Sequence, residues 1–183
     1  VQRNASLPCV HSLRVHGVVE ESIVDGPGLR FVVFTQGCLH GCPGCHNPAT
    51  HSFGEGYETT PQALLTQFAT NPLLAGVTFS GGEPFLQPEP LAFLAKQVHA
   101  LGKTVVVYTG YTLEALYPLA QERPAVASLL EQTDLLIDGP YVAALRELDS
   151  GLKGSSNQRI LDNEAIGSLW NVLQLRQGNV PNG

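Results

Sequence analysis

The sequence predicts an α/β fold: a partial, open parallel β/α barrel in a single domain. Three observations predict it. Apolar β-rich segments alternate with helical segments, the order that builds right-handed βαβ units. The 183 residues suit one domain, and they fall short of the roughly 250 that a full eight-stranded barrel takes. The unusual motifs follow predicted strands directly, and parallel α/β folds place their ligands at those strand ends.

Residues 1–11 read as an N-terminal arm, 12–170 as the barrel domain and 171–183 as a polar tail that frays. Within the domain, 12–19 is a strand and 20–28 a loop punctuated by Gly and Pro. Residues 29–35 (LRFVVFT) are a buried strand, because the run is apolar and β-rich. A cysteine-bearing loop runs from there to Gly54. Residues 60–70 are a helix, with Thr60 as cap and Pro61 at its first position. A strand at 76–80 and a helix at 88–101 closed by Gly102 follow. Residues 103–109 (KTVVVYT) are a central strand by their β-branched content. Helices at 112–121 and 125–133, a strand at 134–138, a short helix at 141–147 and a strand at 158–161 complete the order.

Composition narrows the function. With 43% hydrophobic and 14% charged residues, the chain can bury a core and is not disordered. A net charge of -6 argues against nonspecific nucleic-acid binding, which needs clustered Lys and Arg. No apolar run approaches the roughly 20 residues that cross a bilayer, so no membrane association is expected. The N-terminus lacks the pattern of a signal peptide.

Three of the four cysteines fall within eight residues, in a C-x3-C-x2-C arrangement: Cys38, Cys42 and Cys45. Cys9 stands apart. A disulfide scaffold would space them more widely, so the group reads as a metal site in a reducing compartment, with the cytoplasm as the default location. Thiolates suit iron–sulfur clusters and zinc alike. Zinc with His40 or His46 as fourth ligand is one reading. A redox pair of Cys42 and Cys45 is another.

Four further stretches end predicted strands or adjoin them. Ser80-Gly81-Gly82-Glu83-Pro84 offers a tight turn, close backbone approach and one carboxylate. Val24 to Arg30 (VDGPGLR) could carry an Asp25–Arg30 ion pair at the mouth of a site, or be a solvated turn. Tyr108-Thr109-Gly110-Tyr111 and Asp138-Gly139-Pro140-Tyr141 each close a strand. Tyr108 and Tyr111 read as packing residues, and Asp138 as a helix cap or a ligand. Gly154-Ser155-Ser156-Asn157-Gln158-Arg159-Ile160 is a polar loop entering a strand. The remaining histidines, at 11, 16, 51 and 99, carry no partner pattern.

The C-x3-C-x2-C loop resembles the radical S-adenosylmethionine superfamily. Gly81-Gly82-Glu83 resembles that superfamily's Gly-Gly-Glu motif, though some ribonucleotide reductase activases carry Asp in place of Glu83. Val24 to Arg30 resembles the segment before the cluster loop in glycyl-radical-enzyme activases. Pro43-Gly44-Cys45-His46-Asn47 and Gly154 to Ile160 resemble the activating proteins of anaerobic ribonucleotide reductases. The resemblance implies a [4Fe–4S] cluster on Cys38, Cys42 and Cys45, with the fourth iron chelated by the amino and carboxylate groups of S-adenosylmethionine. It implies cofactor contacts at Gly44, His46, Asn47, Gly81, Gly82, Glu83, Thr109 and Asp138. Many members carry an aromatic residue where this chain has Gly44, and His46 is the candidate to replace it against the adenine. Glu83 would meet the amino group, and Thr109 the ribose or carboxylate. Asn157, Gln158 and Arg159 would face the open end of the barrel.

The implied reaction is reductive cleavage to a 5′-deoxyadenosyl radical, which stores a glycyl radical on a partner enzyme, the anaerobic ribonucleoside-triphosphate reductase. Cluster potentials reach about −700 mV, and the reaction needs that low end, so flavodoxin or ferredoxin is the expected electron donor. A compact chain leaves the barrel to be closed by a protein substrate. The alternatives are a radical enzyme acting on a small molecule, such as a 7-carboxy-7-deazaguanine synthase, and a non-catalytic zinc- or cluster-binding module.

Overall fold

The computed structural model describes residues 12–147, 151–176 and 178. Cys9, His11 and the rest of the N-terminal arm lie outside them. Seven strands form one sheet: β1 (Leu13–Ser22), β2 (Arg30–Thr35), β3 (Tyr57–Thr59), β4 (Gly76–Gly81), β5 (Thr104–Tyr108), β6 (Leu135–Asp138) and β7 (Arg159–Asp162). Among the described residues five helices accompany them: α1 (Pro61–Phe68), α2 (Pro88–Ala100), α3 (Leu113–Glu122), α4 (Pro124–Glu131) and α5 (Asn163–Arg176). The sheet order is β3-β1-β2-β4-β5-β6-β7.

The expected all-parallel sheet is corrected to a mixed one. Strands β2, β4, β5 and β6 are parallel, and β1, β3 and β7 are antiparallel to their neighbours. Loop length explains β1: parallel pairing needs a crossover of a dozen or more residues, and residues 23–29 are too few. Strand β3 is three residues long and carries no readable periodicity. The expected 141–147 helix is a single 3₁₀ turn at Ala143–Leu145. The tail expected to fray from residue 171 instead continues α5 to Arg176, with Ile166 buried and Trp170 packed 4.8 Å from Tyr117.

Thr60 and Thr112 cap α1 and α3 as N-caps do, accepting from Ala63 N at 3.2 Å and Ala115 N at 3.3 Å. Alternation along the central strands separates two buried faces. Phe31, Val33, Val77, Phe79, Val105, Val107 and Leu136 join the core under the helices. Val32, Thr78, Val106 and Ile137 point to the opposite face and are buried too. The loop between β1 and β2 covers part of that second face, since a Cβ on Gly26 would lie 3.2 Å from Val106 Cγ2.

Arg30 sits on the second face, and both readings of it are corrected. It neither pairs with Asp25 nor meets solvent. It is fully buried and donates to Thr78 Oγ1 (3.1 Å), Thr104 Oγ1 (2.7 Å), Thr104 O (3.0 Å) and Val77 O. Asp25 instead accepts from Ser22 Oγ at 2.5 Å. Burial pulls the Arg30 guanidinium down to about 10. The interstrand oxygens that hold it were beyond reach of sequence.

Candidate active site

The C-terminal ends of β2, β4, β5 and β6 border a cavity of about 400 Å³ on the second face of the sheet. That volume lies in the range of small-molecule sites. The strands contribute Phe34, Ser80 and Tyr108, which share the side of Val32, Thr78 and Val106 by alternation. The connection between β6 and β7 folds back to supply Gly139, Tyr141, Leu152, Gly154 and Gln158.

The cysteine loop leaves β2 and is tied at its neck. Gly37 N–H donates to Thr50 O at 2.8 Å and Cys38 N–H to His51 O at 3.2 Å. The turn from Cys42 to Cys45 closes with Cys45 N–H on Cys42 O at 3.1 Å, and Gly44 takes the left-handed φ of 74° that this turn needs. Cys38, Cys42 and Cys45 all line the cavity, half-buried and with free thiols. Burial pushes the Cys38 thiol up, and the nearby Glu83 and Cys42 add to the shift; backbone N–H groups of His40 and Gly41 partly offset it. Asn47 N–H points at Cys45 Sγ, 3.4 Å away.

The donor set fits an iron–sulfur cluster. Among the described residues no three His, Cys, Asp or Glu side chains converge as a single metal ion requires. A cluster asks something different, because each thiolate takes its own iron. Hydrogen bonds to the sulfurs, such as that from Asn47, are among the features that tune such clusters. His40, a candidate zinc ligand, has its Nε2 engaged 2.7 Å from Glu83 Oε2.

Of the other expected residues, His46, Asn47, Gly81, Gly82 and Thr109 line the cavity. His46 lies against Tyr141, centroids 4.6 Å apart. Gly82 N–H donates to Thr35 O at 2.8 Å and Glu83 N–H to Gly37 O at 2.9 Å, so the Gly-Gly turn is packed on the root of the cysteine loop. Gly44, Glu83 and Asp138 do not line it: Gly44 is exposed in its turn, and the other two lie buried behind the wall. Glu83 is buried, its Oε1 accepting from Thr109 Oγ1 (2.9 Å) and Phe85 N (3.0 Å), its Oε2 from Gly110 N (2.9 Å). Asp138 is buried and accepts from Leu113 N (2.8 Å) at the start of α3 and from both Arg159 Nε (2.9 Å) and a terminal Arg159 nitrogen.

In the Gly154 to Ile160 stretch only Gly154 and Gln158 reach the cavity. Gln158 stitches the returning chain, accepting from Gly154 N at 2.8 Å and donating to Gly139 O at 3.0 Å. Asn157 donates to Pro140 O at 2.8 Å. Arg159 faces Asp138 and Glu114 instead. Tyr111 packs edge-on against His40, centroids 4.5 Å apart. Sequence reasoning missed His51, Tyr108 and Lys153 as lining residues; Asp25, read at the mouth of a site, does line it, without Arg30 as partner. The one sequence signal for His51 was its place six residues beyond Cys45.

Residues 24–161 match the family described as a 4Fe–4S single cluster domain. The anaerobic ribonucleoside-triphosphate reductase-activating protein of Salmonella typhimurium is 33% identical over 155 residues, which cover 80% of this chain and 96% of the relative. The chain belongs to this family. It is a radical S-adenosylmethionine activating enzyme, with a [4Fe–4S] cluster and S-adenosylmethionine as cofactors. The pyruvate formate-lyase-activating enzyme of Clostridium pasteurianum is 42% identical over 104 residues, 54% of this chain and 44% of that relative. A solved structure of QueE from Escherichia coli overlaps with a TM-score of 0.48 at 16% identity, over 55% of this chain and 53% of that one. In the activating enzyme the thiol-lined cavity is therefore the candidate active site.

Proposed function

We propose that this enzyme generates the glycyl radical of an anaerobic ribonucleoside-triphosphate reductase. The observation that carries the reading is near-complete alignment with activating proteins of that reductase, 96% of the relative's length, joined to three thiols lining one cavity. In this reading Cys38, Cys42 and Cys45 hold the cluster, which when reduced supplies one electron for cleavage of S-adenosylmethionine to methionine and a 5′-deoxyadenosyl radical. His46, Asn47, Gly81, Gly82 and Thr109 form the wall that orients S-adenosylmethionine. Gly44 shapes the turn between two of the ligands, and Asp138 stiffens the wall from behind through α3. The sheet acts as a partial barrel, open on the side where the substrate enters, with flavodoxin or ferredoxin as electron donor.

A protein substrate is supported by the loops bordering the cavity. Ile23, Val24 and Leu39 are large apolar side chains left exposed there. Such residues suit contact with a partner surface.

The test is anaerobic reconstitution with iron and sulfide, reduction with dithionite and addition of S-adenosylmethionine. Chromatography should detect 5′-deoxyadenosine with the wild type and none with Cys42→Ala. Adding the reductase should then give a glycyl-radical signal by electron paramagnetic resonance. A reconstituted protein that cleaves nothing would refute the reading. Cleavage without a radical on the reductase would reassign the partner.

A further inference from the structure

We infer that His40 is a positioning residue, which clamps the cysteine loop to the opposite cavity wall through the buried carboxylate of Glu83. The inference rests on the proposed reading of the cavity as the site of cluster and S-adenosylmethionine. His40 lies midway between Cys38 and Cys42, on the loop that carries the thiols. Its Nε2 is 2.7 Å from Glu83 Oε2. The Glu83 side chain is 0% exposed and that of His40 18%. The same carboxylate gathers Thr109 Oγ1 and Gly110 N from the end of β5, and Phe85 N from its own turn. One carboxylate thus joins the cysteine loop, the end of β4 and the end of β5.

Two neighbours shape the seat for the imidazole. Tyr111 meets its ring edge-on. Gly110 leaves the space it occupies, because a Cβ there would stand 2.4 Å from His40 Cδ2 and 2.7 Å from Nε2. All four acceptor contacts of Glu83 point inward to protein donors, so its influence on a ligand passes through what it holds. Glu suits this hub by reach: an Asp would be one methylene shorter. Placement matters here because electron transfer and cleavage depend on how the cluster loop and the cofactor wall face each other, and small misplacements are costly in catalysis.

The test compares His40→Ala, Gly110→Ala and His40→Gln in the full-length protein. Gly110→Ala keeps the Gly110 N–H bond to Glu83 and displaces the imidazole, whose atoms are the three nearest to the added Cβ. Hydrogen–deuterium exchange at amides 38–46, before and after cluster reconstitution, should be roughly tenfold faster in His40→Ala and Gly110→Ala, the scale of losing one hydrogen bond to a buried charged group. His40→Gln, which retains a donor, should recover part of the protection. Amides of α2 should exchange as in the wild type. In the reconstituted variants, iron content should stay near that of the wild type, and the change that S-adenosylmethionine causes in the resonance spectrum of the reduced cluster should be lost. His40→Asn replaces His40→Ala if the latter does not fold.

Unchanged exchange at 38–46 in both disruptive variants would overturn the clamp. The exchange readout needs no radical chemistry. A wild type that cleaves no S-adenosylmethionine would sink the proposed function while leaving the exchange result to stand or fall by itself.

Discussion

Gly82 and Gly37 approach so closely that a Cβ on Gly82 would lie 2.3 Å from the Gly37 carbonyl oxygen. The end of β4 and the root of the cysteine loop therefore share a contact that only glycine permits. Gly82→Ala must push the two apart. The expected cost is about 1–3 kcal/mol, as for overpacking in a dense interior. Because the displaced segment leads straight to Cys38, iron content after reconstitution should fall as well. Thermal unfolding and iron per chain check both parts. Wild-type values for both would show that the turn yields freely.

A second expectation concerns Arg159. Its guanidinium spans Asp138 and Glu114, and Asp138 in turn caps the first turn of α3 through Leu113 N. Arg159→Leu leaves a fully buried carboxylate short of its cation. Removing one partner of a buried pair costs several kcal/mol; Arg159 is itself partly exposed, so about 2 kcal/mol is expected. Denaturant unfolding measures it. Asp138→Asn combined with Arg159→Leu should recover part of the loss, since the two effects are not independent.

The same fork sets a pH dependence. The Arg159 hydrogen bond, the largest cause, draws Glu114 from 4.5 down to about 2. A carboxyl group with a depressed folded value stabilises the fold above its unfolded value. That contribution is lost as pH falls through the folded one. The wild type should therefore lose stability between about pH 4.5 and 2 more steeply than Glu114→Gln does. Glu114 is largely exposed, so the difference should be small and should shrink with salt. Acid titrations of both proteins at low and high ionic strength check it. Parallel curves would mean that the pair adds nothing.

The strand–helix alternation and the cysteine loop were legible because each rests on local pattern. Apolar runs such as 104–108 and the Thr60-Pro61 start need no distant partner to be recognised. What failed to show depends on distance. The destination of Arg30 depends on Thr104, 74 residues away. The buried state of Glu83 depends on His40, Thr109 and Gly110. Helix α5 was hidden for another reason. Ile166 is its one buried residue, with Ala165, Leu169 and Trp170 partly buried against the core, and only its second half, from Asn171, reads as a polar tail. The antiparallel β1 is a further miss: the strand–helix order reads as a parallel sheet, although the loop before β2 is too short for a crossover.

Arg30 supports the last expectation. Four hydrogen bonds hold its guanidinium against the N-terminal ends of β4 and β5. Gly76 makes room for it: a Cβ there would stand 2.6 Å from an Arg30 terminal nitrogen and 1.9 Å from Thr104 O. Arg30→Met fills similar volume but leaves Thr104 O and Val77 O without their side-chain donor. Losing hydrogen bonds made by a charged donor costs about 1.5–3 kcal/mol apiece at most, the two carbonyls keeping their place in the ladder between β4 and β5, and removing a buried charge returns part of its desolvation cost. The balance favours destabilisation of about 2 kcal/mol, read by urea unfolding. Gly76→Ala should do more harm than Arg30→Met, because it strikes strand backbone as well as the side chain. The reverse order would mean that the guanidinium itself, and not the close passage of β4 beside β5, governs this end of the sheet.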